Sequence, residues 1–177
     1  MAYLVVCPVS QVRTVGLKHE PSHMLTVMSE KSDVPRPASV SAANHESLIF
    51  NDIAADRDGL VAPGAAHVEA LLGFARAWDR KAPLLIHCYA GVSRSTASAY
   101  IIANALADDA DPTMLASILR MRSPTATPNP RMVALADAQM SMGGAMIAAI
   151  AQIGRGADCF EGDPFIFPLR ADQADLF

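Results

Sequence analysis

The sequence predicts an α/β domain: a central, mainly parallel sheet of about four to five strands flanked by helices. Three observations lead there. Short branched apolar runs occupy the first fifty residues, helical periodicity dominates the second half, and strand, loop and helix alternate between them. The continuous run Leu84-Leu85-Ile86 has the composition of a parallel strand covered on both faces.

Tyr3 to Val9, Met24 to Met28 and Ser47 to Phe50 read as strands, each a short apolar run bounded by turn-forming or polar residues. Between the second and third, Ser29 to Asn44 is rich in Ser, Pro and charge and reads as a surface loop. Another loop, Ala54 to Pro63, precedes Val68, Leu71, Leu72, Ala75 and Trp78, whose spacing predicts a helix with one buried stripe. Pro83 ends helical geometry, and Leu84 to Ile86 delivers the chain to His87-Cys88. From Ser93 onward, Ala97, Tyr100, Ile101 and Ala105 mark a second helix. Asp111-Pro112 starts a third, an N-cap followed by proline at the first helical position. Asn129-Pro130 repeats that signal, and the fourth helix is expected to run towards Ile153 with Gly154 as its stop. The tail, 155–177, carries Phe160, Phe165, Ile166, Phe167 and Phe177 and is expected to pack on the body as an arm. No repeat is visible, and a single domain is expected over residues 1–177.

Composition narrows the function classes. Half the residues are apolar (51%) and 18% are charged, so a compact core is expected. The formal charge of −4 and a pI near 5.6, without a Lys/Arg block, argue against nucleic-acid or anionic-membrane partners. Cys7, Cys88 and Cys159 form neither a CxxC pair nor a His-spaced ligand set, so neither a disulfide framework nor a metal site is suggested, and a reducing compartment fits best. The first residues lack a basic n-region and break at Pro8, and Met140 to Ile153 is shorter than a membrane helix needs. A cytoplasmic protein is expected.

His87-Cys88-Tyr89-Ala90-Gly91-Val92-Ser93-Arg94-Ser95 spaces a cysteine and an arginine by five residues, between an expected strand and an expected helix. Loop amides that converge with a helix N-terminus make a cradle for a tetrahedral anion. Gly91 supplies the backbone freedom such a tight ring needs, and no Asp or Glu inside the loop would repel phosphate. The same field favours the Cys88 thiolate, making it a nucleophile at neutral pH. Arg94 offers a planar fork matched to two phosphate oxygens, which lysine would not replace.

These residues resemble the signature of the cysteine-dependent protein tyrosine phosphatases, His-Cys-x-x-Gly-x-x-Arg-Ser/Thr, most closely in the dual-specificity-like branch. The resemblance extends more weakly over about residues 45–140, where Ser123 to Asn129 is similar to the segment that follows the active-site helix in that branch. One departure is Ser123 where the family usually has arginine, with Arg122 one place earlier. The resemblance implies that Cys88 forms a phosphocysteine, that Tyr89, Ala90, Gly91, Val92, Ser93 and Arg94 bind phosphate, and that Ser95 assists thiolate departure. His87 would orient the loop. No cofactor or metal is implied.

The resemblance also implies a general acid, an aspartate on a loop some thirty-odd residues before the cysteine. Asp52, Asp56 and Asp58 lie 36, 32 and 30 residues before Cys88. Spacing favours the later two, whereas position favours Asp52, which directly follows the strand-like Leu48-Ile49-Phe50. We take Asp52.

Plainer roles are expected elsewhere. Asn129 reads as a helix cap, and His19, His23, His45 and His67 as ordinary surface or core residues. Cys7 and Cys159 are expected to be buried, and Met140, Met142 and Met146 to fill core space.

The expected function is hydrolysis of a phosphomonoester, a phosphorylated protein or a small molecule, with phosphotyrosine first and phosphoserine or phosphothreonine as further candidates. Alternatives are a lipid or inositol phosphatase, against which the absence of loop lysines counts, and a non-catalytic phosphoprotein-binding module, against which the intact Cys88 and Arg94 count. A rhodanese-like sulfurtransferase is disfavoured by the Cys-to-Arg spacing. Nothing in the sequence sets the oligomeric state.

Overall fold

The computed structural model describes residues 2–31, 33–107 and 111–169. In chain order the elements are β1 (Leu4–Pro8), α1 (Val12–His19), β2 (His23–Met28), β3 (His45–Ile49), α2 (Ala65–Ala77) and β4 (Leu84–Cys88). They continue with α3 (Arg94–Leu106), α4 (Pro112–Arg122), α5 (Pro130–Gln139), α6 (Ala145–Ile153) and β5 (Phe165–Phe167). The strands form one sheet in the order β3-β2-β4-β1-β5, parallel except for β5, which runs antiparallel to β1. The expected architecture is the observed one.

The sheet is clothed unequally. One face carries the large core, where Leu4, Val6, Ile86 and Cys88 meet Leu71, Leu72, Tyr100, Ile101 and Leu119 from the later helices. The other carries a small cluster of Val5, Cys7, Met24 and Leu85 with Val12 and Val15 of α1 and Val40 of the long loop. The β1-to-β2 crossover therefore passes over one face and the β3-to-β4 crossover over the other. A crevice opens where they part, at the carboxyl end of the central strand β4.

α3 is buried from Arg94 to Asn104. Its Ser95, Thr96, Ala97, Ser98, Ala99 and Ala103 are small enough to let β4, α2, α4 and α5 approach from several sides. Asp111 and Asn129 cap α4 and α5 as expected, each side chain accepting from amides of the first turn, with proline following. Among the described residues, no helix is long and apolar enough to cross a membrane.

Four expectations need correction. α1 was not anticipated, because it buries only Val12, Val15 and Gly16 and carries a glycine mid-helix. Gly16 is there for room: a Cβ would lie 2.6 Å from Pro37 Cγ. The fourth helix breaks into α5 and α6, since Ser141, Gly143 and Gly144 all adopt positive φ. Buried Asp137 secures the break by accepting from the Gly144 and Met146 amides. The tail does pack on the body, but Phe165–Phe167 does so as a strand of the sheet; Phe177 lies outside the described residues. Finally, Cys159 is exposed, whereas Cys7 is buried. Met146 is fully buried, and Met140 and Met142 pack against the core as expected.

Candidate active site

β4 ends at Cys88 and α3 begins at Arg94, so residues 89–93 form a loop at the mouth of the crevice. The loop's carbonyls are tied outward. Tyr89 O accepts from Val9 N (3.1 Å), Ala90 O from Gly162 N (2.8 Å), and Val92 O from Thr127 N (2.9 Å) and the Thr96 hydroxyl (2.6 Å). The amides of Ala90 to Ser93 donate to no acceptor among the described residues. Turned away from the carbonyls and lying beside a helix N-terminus, they form an unsatisfied donor ring suited to an anion. Gly91 is required twice over: its φ is 71°, and a Cβ there would lie 2.7 Å from Pro8 N.

Cys88 is buried, with Sγ 3.1 Å from Ser95 Oγ. Arg94 is buried too. Its Nη1 donates to Phe50 O (2.8 Å) and Ser29 Oγ (2.9 Å), which fixes the guanidinium in rotation. Its Nε has no hydrogen-bond acceptor and lies 4.0 Å from Asp52 Oδ2. The Nε/Nη2 edge is thus the side presented to a ligand, in the geometry that grips two oxygens.

The structure separates the three aspartates. Asp52 lies at the loop, its Oδ1 accepting from Ser93 Oγ (2.8 Å) and Asn129 Nδ2 (2.7 Å). Asp56 pairs with Arg131 at 2.9 Å, and Asp58 is exposed. Asn129 does more than the expected capping: Oδ1 accepts from the α5 amides while Nδ2 holds Asp52. Sequence reasoning missed that second role, as it missed Ser29 and the Phe50 carbonyl. A cap signal reports only local backbone, so nothing in it could disclose a partner 77 residues away.

Behind the loop, the buried His87 bonds through Nε2 to Thr26 Oγ1 (2.8 Å), which also meets His45 Nε2 (2.8 Å). The single hydroxyl hydrogen serves one ring, so the other ring must donate its own N–H. Burial pushes the His87 imidazole down to about 4, which keeps it neutral at physiological pH. Burial, and secondarily the electrostatic influence of Cys88, push the Cys7 thiol up to about 12. Cys7 pairs with His87 across the strands and faces the α1 side, whereas Cys88 faces the large core. The two sulfurs thus point to opposite faces of the sheet, which does not suit a disulfide. Among the described residues no His/Cys/Asp/Glu cluster could hold a metal.

Where the sequence has Ser123 and Arg122, the arginine that organises the following segment is Arg120. It donates to Pro124 O (2.7 Å), Ala126 O (2.9 Å) and Gly154 O (2.7 Å). Thr127 N thereby stays beside the loop.

No protein-family model matches the sequence, and no curated protein matches it significantly. Among solved structures, human DUSP28 superposes with a TM-score of 0.53 at 18% identity, covering 80% of this chain and 90% of that one. OH1 of the Orf virus, a tyrosine phosphatase described as having triple substrate specificity, gives 0.43 at 17%, covering 86% and 83%. The PTP-2 phosphatase of Cydia pomonella gives 0.44 at 16%, covering 93% of each chain. The architecture on which the Cys88 loop is mounted is therefore the fold of human DUSP28.

Proposed function

We propose that the protein is a cysteine-dependent phosphomonoester hydrolase acting on phosphotyrosine. One observation carries this reading. A buried cysteine sits under a ring of unsatisfied amides, beside a buried arginine whose Nε also has no hydrogen-bond acceptor, so the site is short of one tetrahedral anion.

The Cys88 thiolate attacks phosphorus, the bond from phosphorus to the leaving oxygen breaks, and Asp52 gives that oxygen its proton. Both hydrogen bonds to Asp52 fall on Oδ1, which leaves Oδ2 to carry the proton. Arg94 and the loop amides hold the three equatorial oxygens as charge spreads over them. In the second step water attacks the phosphocysteine and returns a proton to Asp52. The sulfur–phosphorus bond breaks, and Ser95 donates a hydrogen bond to the departing thiolate across the 3.1 Å contact.

The test is hydrolysis of p-nitrophenyl phosphate in EDTA with inhibition by vanadate. Cys88→Ser is expected to abolish turnover while still binding phosphate. Turnover by Cys88→Ser at the wild-type rate would overturn the mechanism.

A further inference from the structure

The chain between α6 and β5 lies against the outside of the loop. Arg120 Nη2 holds Gly154 O (2.7 Å), Thr127 Oγ1 accepts from Gly156 N (3.1 Å), and Pro124 O accepts from Ala157 N (3.0 Å). Farther on, Ser10 Oγ donates to the Glu161 carboxylate (2.9 Å), and Gly162 N reaches Ala90 O (2.8 Å). The approach is backbone to backbone: a Cβ on Gly156 would lie 2.4 Å from the Thr125 carbonyl carbon, and one on Gly162 3.2 Å from Gly91 O. This is a fixed strap.

Between its anchors the strap encloses space. A cleft of about 350 Å³ is walled on one side by Asp52, Val92, Ser93 and Asn129, and on the other by Arg155 and Cys159 of the strap. It opens beside the phosphate cradle, since Asp52 and Ser93 border both. The next residue, Phe160, is 88% exposed although anchored residues follow it, and Tyr89, directly after Cys88, is 61% exposed. Two aromatic rings thus stand uncovered, one next in sequence to Cys159 on the cleft wall and one next to Cys88. A phosphotyrosine that reaches Cys88 has a peptide on either side of it, and this cleft is the adjoining surface that can hold it.

Charge decides between a peptide and a polyphosphorylated headgroup. Arg155 is the one basic residue among the described residues lining the cleft, and Asp158 already pairs with it. Asp52 on the wall and Glu161 on the strap add negative charge. Extra phosphates would meet carboxylates there.

We propose that residues 155–160 form the peptide subsite of the enzyme, receiving the residues that flank a phosphotyrosine, with Phe160 as its apolar contact. The subsite rests on the phosphatase reading above. The experiment compares kcat/KM of the full chain on p-nitrophenyl phosphate, a phosphotyrosine peptide with neutral or basic flanks, and a soluble short-chain phosphoinositide. Phe160→Ala and the cleft-filling Cys159→Trp are each expected to lower kcat/KM on the peptide about tenfold through KM, the scale of one lost apolar contact in a pocket. Turnover of p-nitrophenyl phosphate, which has no flanks, is expected to stay within about twofold. Equal losses on both substrates, no loss on the peptide, or faster turnover of the phosphoinositide would overturn the subsite. A wild-type chain inert towards all three substrates would instead overturn the phosphatase reading, and the subsite with it.

Discussion

The loop at residues 88–93 and the strap at 154–162 share one hydrogen bond, Gly162 N to Ala90 O, and are built on opposite terms. The loop is contiguous with a buried strand and a buried helix, and on the proposed reading its own amides are its working groups. The strap lies outside the core, contributes side chains, and is held by donors and acceptors drawn from the turn after β1, from α4 and from the 124–127 segment. A region that binds through its backbone has its shape set by packing beneath it. A region that binds through side chains can vary while its anchors stay.

The largest effect that sharpens this contrast is at the wall the two regions share. Asp52→Asn is expected to lower kcat about 10³-fold, in the range of a lost general acid. Loss of vanadate affinity with kcat intact would move Asp52 from chemistry to architecture.

Two glycines come next. Gly91→Ala drives a methyl into Pro8 from a left-handed backbone and is expected to cost about 10²-fold in kcat/KM on p-nitrophenyl phosphate, the penalty of a misplaced cradle. Gly156→Ala collides with Thr125 and is expected to lower stability by about 1–3 kcal/mol in denaturant titration, with kcat on the small substrate within about threefold. If the two variants lost activity alike, the strap would belong to the cradle.

The smallest effect is one of pH. His87, at the entrance to the loop, is held neutral by burial, so the unfolded chain takes up its proton first as pH falls from 6.5 towards 4. Stability therefore falls on acidification, by about 1 kcal/mol between pH 7.5 and 5.5 from this residue. Burial shifts His23 and His45 the same way. Thermal melts of wild type and His87→Gln across that range should differ in slope by the His87 share, and parallel curves would remove it.

The loop was legible in the sequence because it is local: Cys88, Gly91 and Arg94 need each other at fixed spacing, and α/β alternation placed them between strand and helix. The central strands and α2 to α4 were legible for the same reason, each carrying its own periodicity or cap. What was not legible is non-local. Ser29 and Phe50 orient Arg94 across 65 and 44 residues, and neither residue type announces it. The strap read as an apolar tail because its anchors, apart from the Glu161 carboxylate, are backbone groups, which any sequence supplies. The break at Gly143-Gly144 was visible in the residues, but the apolar pattern on both sides concealed it.

The single bond between Gly162 and Ala90 sets an order of events during synthesis. Cys88 and Gly162 are 74 residues apart, which a ribosome adds in roughly 4–15 s. Through that interval a nascent chain already carries Cys88, while Ala90 lacks its outward tether and β1 its last neighbour. The Cys88 thiol therefore leaves the ribosome before the loop around it has that tether.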